Sequence, residues 1–140
     1  MAPVFVDTSA WFAMGSNADA SHRRADELLN IHADRLATTD YVLVETWALA
    51  RSRSGRHAAD SLVSNIVEGR LAEVLPATAQ DIDTALRIGR EFSDQDFSLV
   101  DRTSWVVMER HGIDEAIAFD ADFAIYRYGA DRRQAFTIHR

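Results

Sequence analysis

The sequence predicts an α/β domain with a central, mainly parallel sheet, and three observations predict it. Short branched runs alternate with longer helical patterns, and crossover connections of that kind build parallel sheets with helices on both faces. The first run, Val4-Phe5-Val6, is apolar on both sides of its pleat, as a strand in the middle of such a sheet must be. Two of the runs end on a carboxylate, at Asp7 and Asp120, and open parallel sheets bind ligands beyond the carboxyl ends of their strands. The 140 residues, 47% apolar and 26% charged, suit one domain with one core over 1–140.

The elements follow in order. After the first strand, "SAWFAMGSN" reads as a short helix ended by residues 15–17. "DASHRRADELLNIHA" is a helix with Asp19 as N-cap and Ala25, Leu28, Leu29 and His32 on one face. "RLATTD" is a second strand. "DYVLVETWALARSRSG" places Val42, Glu45, Leu49 and Ala50 at helical spacing and stops at Gly55. "RHAADSLVSNIVEG" is helical, with Leu62 and Ile66 inward. "LAEVLPA" is a third strand broken by Pro76. "TAQDIDTALRIGREF" is a helix whose inward positions are Ile82, Ala85, Leu86, Gly89 and Phe92. "SLVDRTSWVVMERHG" begins at the cap Ser98 and ends at Gly112. "EAIAFD" is a fourth strand, "DFAIYRYG" a short helix or turn, and "AFTIHR" a last strand. The chain carries no repeat, low-complexity tract or linker.

Composition excludes several classes. No apolar run approaches the roughly 20 residues of a membrane span, and a first strand at Val4 leaves no room for a signal peptide. With no cysteine, disulfides and thiolate metal sites are excluded, and a reducing cytoplasm is the expected location. The net charge of −7 argues against a broad basic face for nucleic acid. All 15 basic residues are Arg, a bias that a GC-rich coding genome explains as readily as a need for phosphate forks.

Four acids stand out. Asp7 and Asp120 end strands on one edge of the sheet. Glu45 sits in the almost wholly apolar "YVLVETWAL", where a lone charge is costly without a partner. Asp101 lies in the first turn of a mostly apolar helix. Taken singly, Asp7 reads as a helix cap and Asp101 as a favourable charge on a helix dipole. Four acids converging from four segments repel one another and raise their own pKa values. A hard divalent cation relieves that repulsion, because Mg²⁺ and Mn²⁺ favour carboxylate oxygens. No His pair at ligand spacing competes for zinc, and such a site suits phosphoryl chemistry.

At these residues the sequence resembles a family. "VFVDTSAWFAM", "DYVLVETWALA", "DQDFSLVDRTSWVVMERHGI" and "EAIAFDADF" are similar to PIN-domain ribonucleases, in particular the VapC-type toxins of prokaryotic toxin–antitoxin pairs, nearly end to end. The resemblance implies a three-layer α/β/α PIN-like fold and an endoribonuclease that uses Mg²⁺ or Mn²⁺ to cut single-stranded regions of RNA. Asp7, Glu45, Asp101 and Asp120 fall on the family's four acidic positions, and Thr8 or Ser9 falls where a hydroxyl supports the first Asp. Asp96 and Asp122 are candidates to join the cluster or to replace a member; the subgroup often has His where Asp122 stands, and a surface role is the simpler expectation for it. Arg102 replaces the small residue usual after the third acid. A small cognate antitoxin is the implied partner, and an acidic pocket on an acidic chain invites a basic segment directed at Asp7, Glu45, Asp101 and Asp120. A homodimer is expected on resemblance alone.

The remaining candidates have plainer readings. His22, His32 and His139 are expected in packing or at the surface. Trp11, Trp47 and Trp105 occur in apolar segments and are expected in the core rather than as base-stacking platforms. "RSRSGR" at 51–56 is either a solvated helix end or a phosphate contact beside the substrate groove, and "DRR" at 131–133 reads as plain surface. Aspartyl phosphatases of the haloacid dehalogenase type also place an Asp after a strand. They carry a second Asp two residues on, where this chain has Ser9, and a Lys, which this chain lacks; receiver domains need a Lys too. A catalytically silent binding module is the other alternative, since a fold alone proves no chemistry; the four acids argue against it.

Overall fold

The structure is a computed structural model that describes residues 2–140. Its elements run β1 (Val4–Val6), α1 (Thr8–Gly15), α2 (His22–Ile31), β2 (Leu36–Thr39), α3 (Asp40–Ser54), α4 (Arg56–Glu68), β3 (Glu73–Leu75), α5 (Ala79–Glu91), α6 (Leu99–Arg110), β4 (Glu115–Ile117), α7 (Asp122–Ile125) and β5 (Thr137–His139). The strands form one sheet in the order β3-β2-β1-β4-β5, and every pairing is parallel. The expected α/β class holds, with a sheet wholly rather than mainly parallel.

The order fixes where a site can form. The chain steps outward from β1 through β2 to β3, then returns to lay β4 on the other side of β1. The direction of winding reverses between β1 and β4, and a crevice opens there at the carboxyl ends of the strands. Val4, Phe5 and Val6 have no exposed surface, so the central strand is an apolar run on both faces. Two buried polar groups beside it pair in series: Trp11 Nε1 donates to Thr38 Oγ1, which donates to the carbonyl of Val6.

Local chemistry places the helices around this strand. Thr39 Oγ1 accepts from the Val42 amide to cap α3. Asp40 Oδ1 accepts from the Ala77 amide and so ties the start of α3 to the segment after β3. Gly55, at φ 89°, makes the turn between α3 and α4 that a side chain would strain. At Gly15 a Cβ would come within 2.7 Å of the Leu62 side chain of α4, whose methyl groups would have to shift to admit it. Trp105 anchors the other side, stacked on Tyr126 at 4.2 Å between centroids and meeting Phe97 and Phe123 edge-on.

Several expectations need correction. Helix α2 starts at His22 with Ser21 as N-cap, and Asp19 instead accepts from the Ser21 amide in the preceding turn. The buried face of α5 is Asp81, Ala85 and Ile88, while Leu86 is exposed and Ile82 only half-buried. Burial of Asp81 is made tolerable by Arg110, which holds its carboxylate with Nε at 3.2 Å and a second nitrogen at 2.8 Å, and Asp81 also completes a capping box with Thr78. Trp47 is half-buried rather than core, with Nε1 donating to Asp60. Arg132, in the "DRR" stretch, is structural: it grips both oxygens of Glu91 and donates to the Tyr126 hydroxyl. Arg102 replaces a small residue without disorder in the packing, because it runs over Gly89 to donate to the carbonyls of Ala85 and Ser98.

Candidate active site

The crevice at the β1–β4 switch point is lined by Asp7, Thr8, Ser9, Glu45, Leu49, Asp96, Ser98, Asp101, Asp120 and Asp122, around a volume of about 390 Å³. All four acids singled out in the sequence line it. So do both hydroxyls and the two further carboxylates. None of the three histidines noted above belongs to it: His22 meets the Ala13 carbonyl, His32 packs at a tilt against His139, and His139 bonds Glu115.

Asp7 is at once a cap and a member of the crevice. As N-cap of α1, its Oδ2 accepts from the Ser9 amide at 3.4 Å and from the Ser9 hydroxyl at 2.9 Å. Its Oδ1 is buried and has no hydrogen-bond partner. A buried carboxylate oxygen left unpaired is expensive unless something cationic faces it. The two hydroxyls divide their labour. Ser9 serves Asp7, and its oxygen also accepts from the Phe119 amide, which ties the end of β1 to the segment after β4. Thr8 serves Glu45 instead, donating to Oε1 at 2.6 Å.

Asp120 does not end the β4 ladder. Pairing stops at Ile117, and Asp120 lies three residues on, where its Oδ1 accepts from the Asp122 amide at 2.7 Å. That bond turns the chain into α7 and carries the Asp122 carboxylate back to the crevice. Asp101, Asp120 and Asp122 each offer an oxygen within 4.8 Å of the others. Asp122 therefore stands in the tightest carboxylate cluster, not on the open surface where a plainer reading put it. Nothing in "DADF" signals this, because the same letters write an ordinary Asx turn. Asp96 is exposed at the rim, outside that cluster of three, although its charge reaches Asp122.

The electrostatics follow from this crowding. Burial first, and then the charges of Asp7, Asp120, Glu45 and Asp122 in that order of influence, together push the Asp101 carboxyl up to about 8. Burial likewise lifts Asp7 to about 6, against the lowering effect of its bonds to Ser9. Burial and its neighbours Asp120 and Asp96 raise Asp122 as well. Hard oxygen donors, mutual repulsion and an unpaired buried oxygen fit a divalent cation of the Mg²⁺ or Mn²⁺ type.

A model of the PIN domain matches residues 4–128, a span that contains every acid lining the crevice. This chain belongs to the PIN-domain family. Within that family it is similar to the 23S rRNA-specific endonuclease VapC20 of Mycobacterium tuberculosis, 36% identical over 121 residues, which cover 86% of this chain and 92% of the relative. Ribonuclease VapC26 of the same organism is 28% identical over 108 residues, 77% of this chain and 79% of the relative. The crystal structure of VapC20, described as a sarcin–ricin loop cleaving toxin, superposes with a TM-score of 0.82 at 35% identity, over 87% of this chain and 93% of that one. A DNA-bound VapBC from Salmonella typhimurium shares the fold at 18% identity, with a TM-score of 0.59 over 84% and 85% of the two chains. The resemblance read from the acidic motifs is thus a family membership.

Proposed function

We propose that this PIN-domain chain is a divalent-cation-dependent endoribonuclease and the toxic member of a toxin–antitoxin pair. The observation that carries the reading is the clustering of Asp101, Asp120 and Asp122 oxygens within 4.8 Å, beside the unpartnered Oδ1 of Asp7. These four residues would hold the ion, Mg²⁺ or Mn²⁺, with Glu45 as the fifth acid of the catalytic set. Such an ion supplies charge neutralisation at a phosphate and a more acidic water. Thr8 orients the Glu45 carboxylate, and Ser9 fixes Asp7 against the end of β4, so the acids meet a substrate already positioned. Asp96 supports the rim.

The relatives named for ribonuclease activity support RNA as substrate, and the 23S rRNA specificity in the VapC20 name makes that RNA the first to test. The VapBC neighbour supports a small antitoxin as partner, whose basic side chain would offset the repulsion that a cation offsets. We infer a homodimer from the family resemblance. Among the described residues no helix is long and apolar enough to cross a membrane, and the cytoplasm is the proposed place of action.

The deciding experiment uses purified chain freed of any inhibitor. It should cut 23S rRNA with Mg²⁺ or Mn²⁺ and stop in EDTA. Cleavage that persists in EDTA would remove the metal mechanism, and no cleavage of any RNA, beside an active relative, would favour a silent binding module. Expression alone and together with a neighbouring small open reading frame should differ in growth; equal growth with active enzyme in both cases would remove the toxin role.

A further inference from the structure

Six carboxylates line the crevice, and among the described residues lining it none is basic. A polyanion entering there meets repulsion that one bound cation offsets only in part. The positive charge must come from just outside. Helix α3 leads out of the crevice: Glu45 and Leu49 line it, and Arg53 lies one turn beyond Leu49.

Of the three arginines in the stretch 51–56, two are engaged away from that path. The Arg51 guanidinium lies over the Trp47 ring of its own helix at 5.9 Å, and Arg56 faces Asp60 at 3.9 Å. Arg53 reaches across to α1, with its guanidinium 5.9 Å from the centroid of the Phe12 ring. Phe12 is one turn past Thr8, the residue that holds Glu45. The two helices therefore touch twice along one line, at Thr8–Glu45 inside the crevice and at Phe12–Arg53 outside it. Among the described residues no ion pair occupies Arg53, which is exposed. A helix-end arginine serving only the dipole would turn toward its own last carbonyls. This one is held over an aromatic face with its fork open to solvent.

We propose that Arg53, steadied by Phe12, is a positioning residue that binds an RNA phosphate next to the one being cleaved. It lies between about 6 Å, one turn of α1, and about 12 Å, two turns of α3, from the Thr8–Glu45 contact. That is beyond the reacting phosphate and within reach of its neighbour along the strand. The inference rests on the endoribonuclease reading above.

The test measures cleavage of 23S rRNA, and of a long single-stranded RNA beside it, by the full chain in Mn²⁺ across a range of salt, for wild type, Arg53→Gln, Arg53→Lys and Phe12→Leu. Arg53→Gln is expected to lower kcat/KM about tenfold, mainly through KM, and to flatten the log–log salt dependence by about 0.7, the value for one phosphate contact on a single strand. Arg53→Lys should recover the salt slope without the full affinity, because a point charge lacks the fork. Phe12→Leu should raise KM by a smaller factor at an unchanged salt slope. Mn²⁺ affinity, read by electron paramagnetic resonance, should be equal in all four. If wild type cuts RNA and Arg53→Gln leaves KM and salt slope unchanged, the proposal is overturned alone; the same result with weakened neutralisation by a co-expressed antitoxin would reassign Arg53 to that partner. If wild type cuts no RNA, the nuclease reading falls and takes this one with it.

Discussion

The two oxygens of Asp7 answer to different neighbours: Oδ2 takes the amide and hydroxyl of Ser9, and Oδ1 takes nothing from the protein. A cap needs one oxygen, so a single carboxylate can start a helix and still face a crevice. That double use explains why the letters around Asp7 read equally well as a cap or as chemistry, and why only the other acids decide between them. Asp101 tests the electrostatics. With its carboxyl held up near 8, it carries a proton at neutral pH that a cation must displace. Apparent Mn²⁺ affinity should therefore rise from pH 6 to about 8 and flatten above, a trend measurable by isothermal titration; affinity independent of pH would contradict it. Asp101→Asn should weaken Mn²⁺ at least tenfold and abolish cleavage while the fold persists by circular dichroism. Asp122→Asn should now cost about as much as Asp120→Asn, since both oxygens sit in the same cluster. A harmless Asp122→Asn would return that residue to the surface role its sequence context suggests.

At the scale of elements, the α5–α6 pair shows what sequence patterns miss. Ile82 and Leu86 offer α5 an apolar stripe as good as the one it buries, and periodicity has no means of preferring Asp81. The preference comes from Arg110, far along the chain on α6, whose two hydrogen bonds make a buried carboxylate tolerable. Burial alone would raise the Asp81 carboxyl; the bonds from Arg110 and Thr78 outweigh it and hold it low. Asp81→Ala should lose its half of the capping box, the bond from the Thr78 amide, together with the ion pair. Because Arg110 is 41% exposed and can rehydrate, the cost is about 2 kcal/mol, or roughly 6 °C in Tm for a chain of this size. A differential scanning measurement showing no loss would mean that α5 can rotate to its alternative stripe. The strands, by contrast, are legible in place and β1 to the residue, because its run of Val4, Phe5 and Val6 is buried on both faces; β3 and β4 are shorter than their apolar letters suggest, since pairing in β4 stops at Ile117.

For the whole molecule, the acidic crevice is a standing cost to stability. Asp101 and Asp7 have folded-state pKa values of about 8 and about 6 against an ordinary 3.8. Between these limits the folded chain keeps protons that the unfolded chain releases, so stability falls as pH rises from about 4 to about 8. The metal-free chain should accordingly melt several degrees lower at pH 8 than at pH 5. Asp101→Asn should narrow that gap by melting higher than wild type, increasingly so toward pH 8. Saturating Mn²⁺ should close the gap in wild type and raise Asp101→Asn by less at the same concentration. A metal-free Tm that is flat or rising over this range would show that the acids are not crowded as described.

The placement of β1 at the centre of the sheet also bears on how the molecule comes into being. The first strand made must wait for its neighbour β4, more than a hundred positions later, before both its edges are paired. Long closures of this kind make folding slow and cooperative, with little to gain from partial assembly. Asp7 and Asp122 are drawn from the two sides of that same closure. A chain that ends before β4 holds Asp7, Glu45 and Asp101 but lacks the strand and the turn that bring Asp120 and Asp122 to them. The proposed nuclease activity therefore waits on a commitment that the topology delays.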